Sequence, residues 1–177
     1  MANRTSSLRA LGIGFVAGLR SMTAPAAVSW GASNGQLSLG NSPLSLLDSD
    51  RAVSITRKLA LGEFVSDKTT VMPSRLKPGS LLFRLLSGGV CGAAFSISEG
   101  ENLRTGAALG ATGALVGSLL GYAWRTRVLP EWHVPDFAGA LVEDAVALGL
   151  AATLVSCPMR RGARDAWADT DNPAWLP

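Results

Sequence analysis

The sequence predicts an all-α integral membrane bundle, and three observations carry that prediction. Only 16% of the 177 residues are charged, against roughly 25% in soluble proteins, so too few charges remain to coat a water-facing surface. Hydrophobic residues make up 47% and mean hydropathy is +0.26, yet aromatics supply only 6% and glycine contributes 20 residues. Apolar content this small and smooth suits helices that approach closely in lipid. Third, residues 105–124 form a run of twenty without a charge, and at 1.5 Å per residue that run is about 30 Å long, the thickness of a bilayer's hydrocarbon core.

In chain order, the first candidate helix covers 8–30, apolar apart from Arg9 and Arg20. Pro25 is expected to kink or end it in its later turns. The same region imitates a signal peptide, with Arg4 and Arg9, an apolar run over 10–19 and the small-residue sequence Ala24-Pro25-Ala26. Arg20, between the run and that site, argues against cleavage. Residues 21–47 carry no charge but are punctuated by Gly31, Asn34, Gly35, Gly40, Asn41 and Pro43, and read as a helix end followed by a loop. Over 50–67, apolar Val53, Leu59, Ala60 and Phe64 lie beside Arg57, Lys58, Glu63 and Asp67, the composition of an amphipathic helix. Pro73 and Pro78 bracket a basic linker with Arg75 and Lys77.

The segment 81–98 is a second spanning candidate, with Arg84 placed to snorkel to the headgroups. With 105–124 it makes a helical hairpin turned at 99–104. The last candidate, 137–156, carries Glu143 and Asp144. Two carboxylates at roughly +3 kcal/mol each outweigh its eight Leu, Val and Phe at roughly −0.3 to −0.6 each, so it requires partners or a water-filled cavity. Residues 1–158 thus form a single transmembrane domain, and 159–177, with Arg160, Arg161 and Arg164, a polar tail. Counting Lys and Arg puts the hairpin turn outside and the N-terminus and the Arg160 cluster in the cytoplasm. An even number of crossings follows, with either 50–67 or 137–156 as the fourth span. The basic flanks of membrane segments also account for the formal charge of +3. No basic stripe interleaved with aromatics suggests a nucleic-acid partner.

Motif spacing narrows the chemistry. Gly106, Gly110, Gly113, Gly117 and Gly121 fall on one helical face, a seam for helix packing or for a homo-oligomer, with a pore lining as the alternative. Gly12, Gly14 and Gly18 miss the dinucleotide fingerprint and lack its βαβ context. A single histidine, His133, and two distant cysteines, Cys91 and Cys157, supply neither a catalytic triad nor a metal site, and no cofactor is expected. What remains is a set of ionisable residues at or near membrane depth: Arg20, Glu63, Asp67, Lys68, Arg84, Glu143 and Asp144. Charge there is costly and calls for a partner. Arg20 can pair with Glu143 or Asp144, pinning helix to helix. Glu63 and Asp67, four apart, can share a cation or proton, or be neutralised by Lys68 on a solvated face.

Taken together, the stretches Gly14-Phe15-Val16-Ala17-Gly18-Leu19-Arg20-Ser21-Met22 and Gly62-Glu63-Phe64-Val65-Ser66-Asp67-Lys68, the glycine-spaced helix ending Gly121-Tyr122-Ala123-Trp124-Arg125, and Leu141-Val142-Glu143-Asp144-Ala145-Val146-Ala147 form a joint pattern. That pattern, over about residues 8 to 155, resembles the small multi-pass membrane proteins of the domain of unknown function 4126. The resemblance implies a helical integral membrane protein and brings no activity with it. One departure is that no proline closely follows the Asp67-Lys68 pair. A faint echo also exists, a Gly-rich helix ending in Arg (Arg20, Arg125) followed by an acid-bearing helix (Glu63, Glu143), of the kind that builds transporters.

The leading expectation is a multi-pass protein of the cytoplasmic membrane that binds or moves a small solute or ion at Arg20, Glu63, Asp67, Lys68, Glu143 and Asp144. One alternative is a non-catalytic scaffold whose buried charges are structural ion pairs. The other is a membrane enzyme acting on lipid headgroups with Glu63 or Asp67 as acid/base.

Overall fold

A computed structural model describes residues 4–40, 42–66, 78–132 and 135–157. All described regular structure is helical: α1 (Arg4–Leu19), α2 (Thr23–Ser33), a 3-10 segment (Pro43–Asp48), α3 (Asp50–Ser66), α4 (Pro78–Ser98), α5 (Leu103–Ala123), a π turn (Trp124–Val128), α6 (Leu129–Glu131) and α7 (Asp136–Ser156). Three stretches are long and apolar enough to cross a bilayer: Pro78–Ser98, Leu103–Glu131 and Phe137–Ser156. Of the two segments left open as a fourth span, 137–156 is span-capable and α3 is not.

Local signals set the ends. Pro78 opens α4, where its missing N–H is one of the donors a helix start leaves unpaired. Gly100 turns the α4–α5 hairpin at φ +72°, a left-handed conformation open to glycine. Asn102 caps α5 through its side-chain oxygen, which accepts from the Arg104 N–H at 2.8 Å. Beyond Trp124 the helix continues where a break was expected. The π turn takes it as far as Pro130, which cannot donate to the Thr126 carbonyl of an α-helical ladder.

Glycines hold the centre together. The Gly110 backbone faces Gly88 and Gly92 of α4 on one side and Gly14 of α1 on the other, so closely that a methyl at any of these positions would clash with backbone atoms. Gly106 faces Gly92 and Ser96, while Gly113 and Gly117 meet the backbone of α1 around Leu11 and Phe15. Gly121 is buried at the end of the row. Because α1 and α4 of the same chain occupy the seam from Gly106 to Gly117, a second copy of the chain would have to meet it elsewhere.

Unlike that of a water-soluble protein, the exterior is apolar as well as the core. The core consists of Ile13, Val16, Ala17, Val28, Ala94, Ala114 and Ala147, with Phe95 its largest fully buried side chain. Large apolar residues point outward: Leu82 and Leu86 on α4, Leu119 and Leu120 on α5, Leu141 and Val146 on α7. A soluble monomer rarely exposes so continuous an apolar belt, whereas lipid requires one. With the three span-capable helices, this is the pattern of a membrane protein.

Two expectations about the path of the chain are corrected. Residues 8–30 do not form one kinked helix. Gly12 of α1 packs against Leu154 near the end of α7, and Arg20 reaches Asp144 twelve residues before that end, so α1 and α7 are antiparallel. Gly31, late in α2, lies against Val155. α2 therefore returns beside α1, and the two form a helical hairpin that reverses at 20–22. The second correction concerns the ends. Arg9 pairs with Glu99 at 2.7 Å, which puts the start of α1 at the same end as the α4–α5 turn instead of the opposite one. α1 also fills the centre of the core, so cleavage at Ala24-Pro25-Ala26 would remove what α4, α5 and α7 pack on.

Candidate functional site

The reversal between α1 and α2 is where the polar residues converge, and helix arithmetic explains why. In a continuous helix the Met22 N–H would bond to the Gly18 carbonyl and the Ser21 N–H to that of Ala17. The break at Arg20-Ser21-Met22 exposes these groups inside the protein, where each requires a partner. Arg84 supplies two bonds at the end of α1: its Nη1 donates to the Gly18 carbonyl at 2.6 Å and to the Leu19 carbonyl at 2.8 Å. Ser118 Oγ donates to Gly18 O as well, at 3.2 Å.

Glu63 supplies the partners at the start of α2. Its Oε1 accepts from the Ser21 N–H at 2.9 Å and the Ser21 hydroxyl at 2.7 Å, and its Oε2 from the Met22 N–H at 2.8 Å. A carboxylate at a helix N-terminus is favoured by the dipole as well as by the hydrogen bonds. Engagement of both oxygens makes Glu63 an anchored anion and weighs against its use as a general acid or base. Pro25 completes the break, because it has no N–H to give the Ser21 carbonyl; Ser87 Oγ donates to that carbonyl at 2.6 Å. Pro25 therefore does not kink the helix at its own position. It sits in the first turn of α2, where proline is tolerated, and the chain reverses three to five residues earlier.

The charged side chains meet in pairs. Arg20, 2% exposed, reaches Asp144 Oδ1 through both Nε and Nη2, and its guanidinium carbon lies 4.2 Å from the centroid of the Phe64 ring. That stacking is a cation–π contact away from water. Arg84 Nη2 stands 4.0 Å from Glu63 Oε1. Glu143, beside Asp144, turns the other way and accepts from Arg125 Nε at 3.3 Å. Adjacent helical residues diverge by about 100°, so the two acids serve different partners. Three guanidinium groups face three carboxylates, and the described cluster is neutral.

Along α4, Arg84 lies about 9 Å from the Pro78 end and about 21 Å from the Ser98 end. On α7, Asp144 is about 12 Å from Asp136 and about 18 Å from Ser156. The cluster is thus well inside the length of the bundle from either side.

Of the six residues expected to form a site, Arg20, Glu63 and Asp144 come together at the reversal and Glu143 lies beside them, paired outward. Asp67 and Lys68 lie outside the described residues. Arg84 corrects an expectation: it is 8% exposed and does not snorkel, its guanidinium being consumed by the end of α1 and by Glu63. Ser87, Ser118 and Phe64 join the site without having been singled out, since an isolated serine or phenylalanine in an apolar run carries no signal of its own. The two Gly-rich helices ending in arginine also differ in sequel, because the chain reverses after Arg20 but continues helically after Arg125. Among the described residues no three His, Cys, Asp or Glu side chains converge as a metal site.

A family model matches residues 8–163, which takes in every residue of this cluster. The chain belongs to that family, the Domain of unknown function (DUF4126). No curated protein and no solved structure matches it. Membership in the domain of unknown function 4126 brings no assigned chemistry.

Proposed function

We propose that the protein is a multi-pass component of the cytoplasmic membrane that binds and moves a small solute or ion at the α1–α2 reversal. The observation carrying this reading is the helical hairpin. Its two helix ends, whose backbone donors and acceptors lie outside the helical ladder, meet four charged side chains about 10 Å from one end of a bundle whose outer surface is apolar. Discontinuous helices that end near the midplane are the device by which secondary transporters bind charged substrates. Arg20 and Arg84 suit an anionic group, and Glu63 and Asp144 suit a cation or proton that exchanges with their present partners. Protons are the simplest probe. In liposomes loaded with a pH-sensitive dye, wild type should dissipate an imposed pH gradient at least about tenfold faster than protein-free vesicles, the effect of a barrier lowered by about 1.4 kcal/mol. Glu63→Gln should fall back toward the protein-free rate at equal reconstitution. A wild-type rate equal to that of empty liposomes contradicts proton movement.

A specific observation favours a second reading, a scaffold. Asp144, Glu143 and Glu63 are each already held by a guanidinium or by backbone N–H groups. On that reading the pairs fix one helix arrangement, and exchanging the charges of Arg20 and Asp144 restores folding and cellular phenotype together.

A further inference from the structure

A groove between α2, α3 and α7 has a volume of about 360 Å³; it shares Phe64 with the Arg20 site but none of the ion-paired side chains lines it. Alanines form its floor, Ala26 and Ala27 from α2 and Ala151 from α7, while Trp30, Leu148 and the exposed Ala152 stand at its sides. Small residues below and large apolar ones beside leave a channel shaped for a hydrocarbon chain. Two polar features break this apolar lining. Arg57 of α3 sits at the groove, exposed, and makes no hydrogen bond or ion pair among the described residues. Thr23 lines the groove too; it is only 4% exposed, and its buried Oγ1 has no hydrogen-bond partner among the described residues. A buried hydroxyl ordinarily finds one.

An occupant matching these features carries an anionic group for the guanidinium, a hydrogen-bond acceptor for the hydroxyl, and hydrocarbon for the alanine floor. We propose that the groove is a binding site for one anionic glycerophospholipid of the surrounding bilayer, with its phosphate on Arg57, an ester carbonyl accepting from Thr23 Oγ1, and an acyl chain over Ala27 and Ala151. Guanidinium matches phosphate in geometry as well as charge. Lys58, the neighbouring cation on α3, is exposed and does not line the groove. It therefore separates a built site from diffuse surface charge. The proposal depends on a bilayer around the protein but not on what passes Arg20.

The test is native mass spectrometry of the full chain in detergent, titrated with dioleoyl phosphatidylglycerol or dioleoyl phosphatidylcholine. One phosphatidylglycerol should bind about fivefold more tightly than phosphatidylcholine, the share expected of one well-placed arginine. Arg57→Gln, a change at an exposed position, should erase that preference, whereas Lys58→Gln should retain it. Thr23→Val should weaken both lipids equally, and Ala152→Trp, which fills the groove from an exposed position, should block both. Equal binding of the two lipids by wild type, equal loss of preference in Lys58→Gln, or unchanged binding in Thr23→Val or Ala152→Trp overturns the proposal.

Discussion

Arg20 shows how a single residue organises this protein. At 2% exposure it would be prohibitive as an isolated charge, and it is sustained by Asp144 on one side and the Phe64 ring on the other. Removing one partner is accordingly worse than removing both. Asp144→Asn is expected to cost about 3–5 kcal/mol, because it leaves a buried guanidinium uncompensated. The apolar double replacement Arg20→Met with Asp144→Leu should recover most of that loss. Unfolding in mixed detergent, followed by loss of helical circular dichroism, measures both; a double variant no more stable than Asp144→Asn would show that the pair is not the unit of stability. The need of Arg20 for an acid was legible in the sequence, but the choice between Glu143 and Asp144 was not. Neighbours on a helix differ only in the face they present, and that is decided by where α1 and α5 lie. Arg84 was misread for a similar reason: its position near a helix end suits snorkelling, and only the broken end of α1 gives it carbonyls to cap.

At the scale of elements, both ends of α4 and α7 and the start of α5 were legible to within three residues, but not the helical continuation of α5 to Glu131. Apolar runs bounded by charge, Pro78 and the Gly100 turn leave little freedom. The α1–α2 hairpin was not legible. Pro25 marked the disturbance, but a proline in a helix's first turn is well tolerated, so the break falls where its missing N–H is felt, at the Ser21 carbonyl. What turns a kink into a reversal is tertiary: Glu63 comes from 41 residues beyond Met22, and Arg84 from 65 beyond Leu19. α3 positions Glu63 while leaving Arg51, Arg57 and Lys58 exposed, together with Ile55, Leu59 and Leu61. The glycine contacts make a sharper prediction. A methyl at Gly110 meets the backbone of Gly88 and Gly92, whereas one at Gly149 meets nothing within 4 Å. Gly110→Ala should therefore destabilise by about 1–3 kcal/mol through forced separation of α4 from α5. Gly149→Ala should be neutral or stabilise by up to about 1 kcal/mol through helix propensity. Thermal unfolding in detergent distinguishes them, and equal effects would mean that the α4–α5 approach is looser than described.

For the whole molecule, an apolar exterior around small and charged residues places the chain in a membrane, and the hairpin decides how it lies there. Charge counting set the N-terminus opposite the α4–α5 turn because it compared loops without knowing which ends coincide. The Arg9–Glu99 pair brings them together. Thr5, Asn34 and Asn102, all exposed, then belong to one side, and Arg127, exposed beyond α5, to the other. In a Cys157→Ser background, with Cys91 buried, single cysteines at these four positions can be labelled in intact cells and in inverted vesicles with a membrane-impermeant maleimide. The helical hairpin predicts that Asn34→Cys labels from the same side as Thr5→Cys and Asn102→Cys, with Arg127→Cys opposite. Labelling of Asn34→Cys from the side opposite Thr5→Cys would mean that residues 8–30 span the bilayer, and the reversal at Arg20 would not exist.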